Sequence, residues 1–263
     1  MAVLSVNLNK IALLRNSRDG NTPSVVDAAR TVLDAGAAGI TVHPRPDQRH
    51  IRPSDVSDLV NFLRDYIAEA PEQRSPIEFN IEGNPFAGPR DNGYPGFDTL
   101  IESARPAQAT LVPDSDSQLT SDHGWDLSGD NAALIDVIAR YQSAGARVSL
   151  FMDPVHEQIE HARRVGADRI ELYTGPFADI AKIAGIDDPR TRTSFTEYQS
   201  AARYATQLGL GVNAGHDLDL NNLPLFVSIT EVTEVSIGHA LIGDALHLGL
   251  ARTVAAYLKA SAA

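Results

Sequence analysis

Three histidines and a glutamate in this chain stand where short β-type runs give out. Ile40, Thr41 and Val42 lead into His43, the stretch from Ile77 to Ile81 leads into Glu82, and Gly211 and Val212 lead into Asn213 and then His216. Val235, Ser236 and Ile237 lead into Gly238 and His239, and Leu4, Ser5 and Val6 end on Asn7. An imidazole titrates near neutral pH, and a carboxyl group joins it there once burial makes its charged form costly. Brought together, such groups would move protons to and from a bound reactant.

Each residue also has a plainer reading. His43 could be a structural imidazole bonded to backbone, although Arg45 and His50 follow closely in a polar stretch. Glu82 could form a salt bridge, and Glu78, four residues earlier and on the same side of the strand, reads as deeper and structural. His216 could cap a helix. Beside His43 and Glu82, it reads better as the third member of a proton-transfer trio, with Ala214 and Gly215 leaving room for a substrate. Gly238 could merely ease packing, or could open a helix whose free N–H groups cradle an anion. His123, His156, His161 and His247 have no matching partner in the pattern and read as surface or structural. No His-x-His pair or regular carboxylate cluster suggests a metal. Lysine occurs only as Lys10, Lys182 and Lys259, which leaves few candidates for a Schiff base; Lys10 fits better opposite an oxyanion or phosphate.

Groups so far apart in sequence meet only if the strands that carry them are parallel, with all carboxyl ends on one face. Candidate strands span 3–8, 39–43, 77–82, 107–112, 147–151, 169–173, 211–213 and 234–237. Helical spacing separates them, as in Leu134, Ile138 and Tyr141, and in Leu246, Leu250, Val254 and Leu258. Eight strands alternating with helices make a (β/α)8 TIM barrel, with one domain over 1–263. Gly36, Gly145, Gly166 and Gly209 mark helix-to-strand joints, which places them on the barrel face opposite the chemistry. Longer polar connections are expected over 9–22 with Lys10, Arg15 and Arg18, over 44–53, over 83–96, and over 185–194 with Arg190 and Arg192.

With 43% hydrophobic residues but only 6% aromatic, the core must be built from Ala, Val, Leu and Ile. The chain carries 34 acidic against 22 basic residues, a formal charge of −12 with no basic tract, so nucleic acid is not an expected partner. The absence of cysteine excludes disulfides and thiolate chemistry. No signal peptide or membrane span is expected, and the cytoplasm is the expected location.

These residues, in order, resemble the pyridoxine 5'-phosphate synthase family. The segments that carry the resemblance include Val6-Asn7-Leu8-Asn9-Lys10, Leu14-Arg15-Asn16-Ser17-Arg18, Gly39-Ile40-Thr41-Val42-His43 and Arg49-His50-Ile51. It continues through Asn80-Ile81-Glu82, Val148-Ser149-Leu150-Phe151, Val212-Asn213-Ala214-Gly215-His216 and Ile237-Gly238-His239-Ala240. The resemblance implies a (β/α)8 barrel with additional helices that needs no cofactor. It would condense 1-deoxy-D-xylulose 5-phosphate with 3-amino-2-oxopropyl phosphate to pyridoxine 5'-phosphate, phosphate and water. It further implies that His43 and Glu82 accept protons and His216 donates one. Asn7, Arg18, Asp217, Gly238 and His239 would contact the amino ketone, and Asn9, Lys10, Arg45, His50 and Thr120 the deoxyxylulose phosphate. A homo-octamer built from dimers is implied as well. Three features depart from the family pattern: Asn9-Lys10 replaces an Asp-His pair, Asp217 stands where others carry Gly, and the loop over 84–96 is long. Two rival readings are a phosphate-binding barrel isomerase or aldolase with one substrate, and a barrel that only binds sugar phosphates.

Overall fold

The computed structural model describes residues 2–70 and 76–262. Eight parallel strands close in sequence order into a barrel: β1 (Val3–Asn7), β2 (Gly39–Val42), β3 (Glu78–Gly83), β4 (Gln108–Leu111), β5 (Arg147–Met152), β6 (Arg169–Tyr173), β7 (Gly211–Gly215) and β8 (Val232–Ile237). Between β1 and β4 lie α1 (Asn9–Asn16), α2 (Val25–Asp34), α3 (Pro53–Glu69) and α4 (Phe97–Ala104). Then follow α5 (Ala132–Ser143), α6 (His156–Arg164), α7 (Gly175–Ala184), α8 (Pro189–Gln207), α9 (Leu223–Phe226), α10 (His239–Leu248) and α11 (Leu250–Ser261). This is the (β/α)8 barrel that the alternation predicts, with the additional helices that the resemblance implies.

The strands explain where the core sits. Parallel strands covered by helices usually read as unbroken apolar runs. Here nearly every strand alternates instead, as in Glu78-Phe79-Asn80-Ile81-Glu82, with both sets buried. Hydrogen bonds that skip over strands place the polar set inside the cylinder: Asn213 Nδ2 on β7 reaches Gln108 Oε1 on β4 at 3.4 Å, and Asn7 Nδ2 on β1 reaches Glu82 Oε2 on β3 at 3.2 Å. Ser5 and Thr41 pair at 2.8 Å, and the Thr110 hydroxyl donates to Asn80 Oδ1 at 3.1 Å. The apolar set, including Leu4, Val6, Ile40, Ile81, Leu111 and Val148, points outward to the helices. Small residues such as Ala29 on α2 and Ala201, Ala202 and Ala205 on α8 let helices approach closely. Burial of each large aliphatic side chain stabilises the fold by about 1.5–3 kcal/mol.

Gly36, Gly145, Gly166 and Gly209 take φ of +104°, +97°, +94° and +79°, closing α2, α5, α6 and α8 in the left-handed region as their positions predict. Three expectations are corrected. The segment 9–22 is not all loop, because Lys10-Ile11-Ala12-Leu13-Leu14-Arg15 are good helix formers and build α1, with Ala12 and Arg15 on its buried face. Most of 185–194 belongs to α8, started by Pro189 in its first turn and by Asp188, whose side chain accepts the Arg190 N–H. The Leu246, Leu250, Val254 and Leu258 series is split between α10 and α11 by Gly249 at φ +81°, and Leu246 is 75% exposed.

Candidate active site

At the carboxyl ends of the strands lies a cleft of about 310 Å³. Asn7, Glu82, Glu171 and Ser236 line it from β1, β3, β6 and β8. The loop after β2 contributes His43, Arg45, Arg49 and His50, the loop after β4 contributes Leu119, Thr120 and Ser121, and the end of β7 contributes His216 and Asp217. Asn9, Lys10 and Leu13 enter from α1, and Gly238 and His239 from the start of α10. Arg18 is the one nominated residue that does not line it; it is exposed beyond the end of α1.

A short relay organises the floor. The Asn9 N–H donates to Asn7 Oδ1 at 3.0 Å, the His43 N–H donates to Asn9 Oδ1 at 2.8 Å, and Asn7 Nδ2 donates to Glu82 Oε2. His43 Nδ1 then stands 3.9 Å from Glu82 Oε2, close but beyond a direct hydrogen bond. Burial, reinforced by Arg45, His50 and His216, holds His43 well below the usual imidazole range. Burial and Asp114 push Glu82 up to about 7, against the pull of Arg45 and the Asn7 hydrogen bond. At neutral pH the pair is therefore a neutral imidazole beside a carboxyl group near its midpoint, both able to take a proton.

His50 and His216 are neutral as well. His50 is lowered to about 3 by burial, then by Arg45 and Lys10, and its Nδ1 accepts the Ile51 N–H at 2.9 Å, so the ring carries its proton on Nε2. His216 is lowered to about 4, chiefly by burial, with Arg45 and Lys10 adding to it and Asp217 opposing. Its ring lies against Phe151 and Tyr173, with centroids 5.0 and 5.5 Å away. The backbone there is unusual: His216 and Asp217 have φ of +81° and +58°, a conformation costing about 1–3 kcal/mol per non-glycine residue.

Neighbouring loops hold the rim. Arg45 is ion-paired with buried Asp114 and donates to the Gln118 carbonyl at 3.1 Å, while the Ser121 hydroxyl donates to Asp114 at 2.7 Å. Asn84 Nδ2 donates to the Asp114 carbonyl at 2.8 Å, and between the second and third strand-end loops Gln48 Nε2 donates to the Asn92 carbonyl and Asn92 Nδ2 to the Pro46 carbonyl, each at 2.8 Å. The long 84–96 loop is thus part of the rim. From below, Arg15 is ion-paired with Asp55 and donates to the His50 carbonyl at 3.1 Å, and Asn16 donates to the same carbonyl at 2.8 Å.

A pyridoxal phosphate biosynthesis family, PdxJ, matches residues 4–263. The chain belongs to the PdxJ family. A pyridoxine 5'-phosphate synthase of Xanthomonas campestris pv. campestris (strain B100) is 55% identical over 97% of this chain and 94% of its own length. The synthases of Xanthomonas oryzae pv. oryzae (strain PXO99A) and Xylella fastidiosa (strain M12) are 54% and 51% identical over 97% of the chain, and 94% and 93% of theirs. Among solved structures, thiamine phosphate pyrophosphorylase from Pyrococcus furiosus superposes with a TM-score of 0.60 at 10% identity, over 99% of this chain and 95% of that one. Tryptophan synthase from M. tuberculosis does so with 0.60 at 13%, over 99% and 92%; at such identity only the barrel is shared.

This PdxJ enzyme carries site residues that the strand-end pattern does not reveal. Glu171 lies inside β6, its Oε2 without a protein partner among the described residues, and burial with Glu82 and Glu234 nearby holds its pKa well above the carboxylate range. Gly215 makes room for it, since a Cβ there would fall 2.3 Å from Glu171 Oε1. The clue was present in Arg169-Ile170-Glu171-Leu172-Tyr173, a strand with the parity of β3. Gly238 has a similar reason: a Cβ would sit 3.0 Å from that of Asn7. Among the described residues, no group of histidines and carboxylates could hold a metal, and no helix is long and apolar enough to cross a membrane.

Proposed function

We propose that this PdxJ enzyme condenses 1-deoxy-D-xylulose 5-phosphate with 3-amino-2-oxopropyl phosphate, releasing pyridoxine 5'-phosphate, phosphate and water without a cofactor. The observation that carries the reading is the meeting of His43, Glu82 and His216 in one cleft that also holds Lys10, Arg45 and the amino end of α10. Imine formation, enolisation, phosphate loss and dehydration all need proton transfers between positioned groups, which accompany the C–N bond formed and the C–O bonds broken. His43 and Glu82 act as proton acceptors, the first kept neutral and the second half-ionised at pH 7.

His216 acts as a proton donor. In the free cleft burial chiefly, with Arg45 and Lys10 adding to it, keeps its imidazole neutral. A phosphate ester bound between those cations cancels their repulsion and raises the imidazole pKa toward the range where it donates. The backbone N–H groups that open α10 at His239, with Asn7, Gly238 and Asp217 around them, hold the amino ketone phosphate. Asn9, Lys10, Arg45, His50 and Thr120 hold the deoxyxylulose phosphate, His50 through its Nε2–H. Arg18 closes on the amino ketone only if the chain after α1 folds inward on binding. The enzyme works in the cytoplasm as a homo-octamer of a one-domain chain, which light scattering tests directly.

The decisive assay couples phosphate release to both substrates. Release of phosphate and pyridoxine 5'-phosphate only when both are supplied is the expected result. Turnover of one phosphorylated ketose alone points to an isomerase or aldolase, and binding without turnover to a carrier barrel.

A further inference from the structure

We propose that Thr174 is a positioning residue for His216, its hydroxyl holding the His216–Asp217 elbow in the left-handed backbone conformation that aims the imidazole into the cleft. This rests on His216 being the proton donor of the reaction above.

Among the described residues, His216 and Asp217 are the one adjacent pair of non-glycine residues at positive φ. Left alone, such a pair relaxes toward the ordinary β or α regions, which swings the side chains away. The elbow is restrained at three successive carbonyls. Gly215 O accepts the Thr174 N–H at 2.9 Å and lies 2.6 Å from the Thr174 hydroxyl; His216 O is within reach of the same hydroxyl; Asp217 O accepts Asn222 Nδ2 at 3.4 Å. The one hydroxyl proton is shared between the Gly215 and His216 carbonyls.

Thr174 occupies the N-cap position of α7, where a threonine side chain ordinarily accepts one of the helix's own free N–H groups. It makes no such bond, and the hydroxyl is turned across to β7. The residue is fully buried, so water does not replace what it gives up. Meanwhile no protein group hydrogen-bonds the His216 ring among the described residues; Phe151 and Tyr173 only flank it. Among the described residues, the backbone conformation and those two rings orient the imidazole in place of a hydrogen bond, and the carbonyl strap fixes that backbone.

The test compares Thr174→Val, Thr174→Ser and His216→Asn in the full chain, alone and with Asp217→Gly, reading kcat, KM for both substrates and the melting temperature. Loss of one hydrogen-bonded restraint should lower kcat of T174V by roughly ten- to thirtyfold with each KM within about twofold, while T174S, which keeps the hydroxyl, stays within about threefold of the parent. Glycine takes positive φ freely, so in the D217G background T174V should cost less than about threefold relative to D217G alone. An effect of equal size in both backgrounds, or a T174S defect matching T174V, overturns the proposal. If T174V does not fold, Thr174→Ala takes its place in the same four-way comparison. Full activity of T174V beside an inactive H216N refutes the positioning role alone; full activity of H216N refutes the proton-donor reading on which it stands.

Discussion

At the amino-terminal end of the barrel, Glu78 is ion-paired with Arg147, and Arg169 Nη1 donates to Asn213 Oδ1 at 2.8 Å and to the Thr233 hydroxyl at 3.2 Å. At the carboxyl-terminal end, Lys10 forms no ion pair among the described residues, His43 and Glu82 face each other 3.9 Å apart, and Glu171 keeps an unpartnered oxygen. Both ends belong to one polar lumen. The amino-terminal end even has the larger cavity, about 450 Å³ against about 310 Å³. Volume therefore does not mark the reactive end. What differs is what the groups face: at the amino-terminal end Glu78 and Arg147 are joined to each other across strands, while at the carboxyl-terminal end Lys10, His43, Glu82 and His216 all line one cleft.

Substitutions at the two ends should separate most sharply in turnover. His43→Asn and Glu82→Gln are expected to lower kcat by about 10²–10⁴-fold in the phosphate-release assay, while Arg147→Met leaves it within about twofold. A comparable loss from Arg147→Met would erase the distinction. Lys10→Met should raise the KM for deoxyxylulose phosphate by about ten- to thirtyfold with a small effect on kcat, because a half-buried cation at the cleft wall binds the phosphate alike in ground and transition states. Its failure to change either constant would remove Lys10 from the phosphate site.

Acidity offers a finer probe. Glu82 works ionised and its pKa is raised to about 7, so kcat/KM should fall as pH drops through 7, by about tenfold per unit below it. A profile flat from pH 8 to pH 5 would take Glu82 out of the base role. The smallest expected effect lies at the quiet end. Glu234, pushed up to about 8 mainly by burial and Glu78, binds its proton more tightly folded than unfolded. Its contribution to stability is thus present below about pH 4.3, the unfolded value, and is lost as pH rises through 8. Glu234→Gln should raise the melting temperature at pH 9 by a few degrees more than at pH 5; an equal shift at both would mean that Glu234 ionises without penalty.

Much of this was legible in the chain because its signals are local. A β-type run that stops on His43 or Glu82 declares both strand and site, and a glycine such as Gly145 declares the end of a helix. Glu171 escaped because it sits in mid-strand, where the same polarity reads as a structural residue until the strands close around it. Arg15 and Asn16 were visible only as polar residues of a connection and a motif; their task of gripping the His50 carbonyl needs a loop 35 and 34 residues away. The carbonyl strap at Thr174 was invisible for the same reason, its partners lying 41 and 42 positions further on.

The alternation inside each strand also bears on how the gene tolerates change. Consecutive codons of β3 serve different masters: Phe79 and Ile81 face the helices, Asn80 and Glu82 the lumen. Losing a methylene from the outward set lets a helix settle inward and costs melting temperature, while the hydrogen-bonded cylinder keeps the reactive groups in register. A saturation scan along a single strand would then show damage oscillating with a period of two residues, first in expression, then in turnover, so that drift in one property is uncoupled from drift in the other by a single step along the backbone.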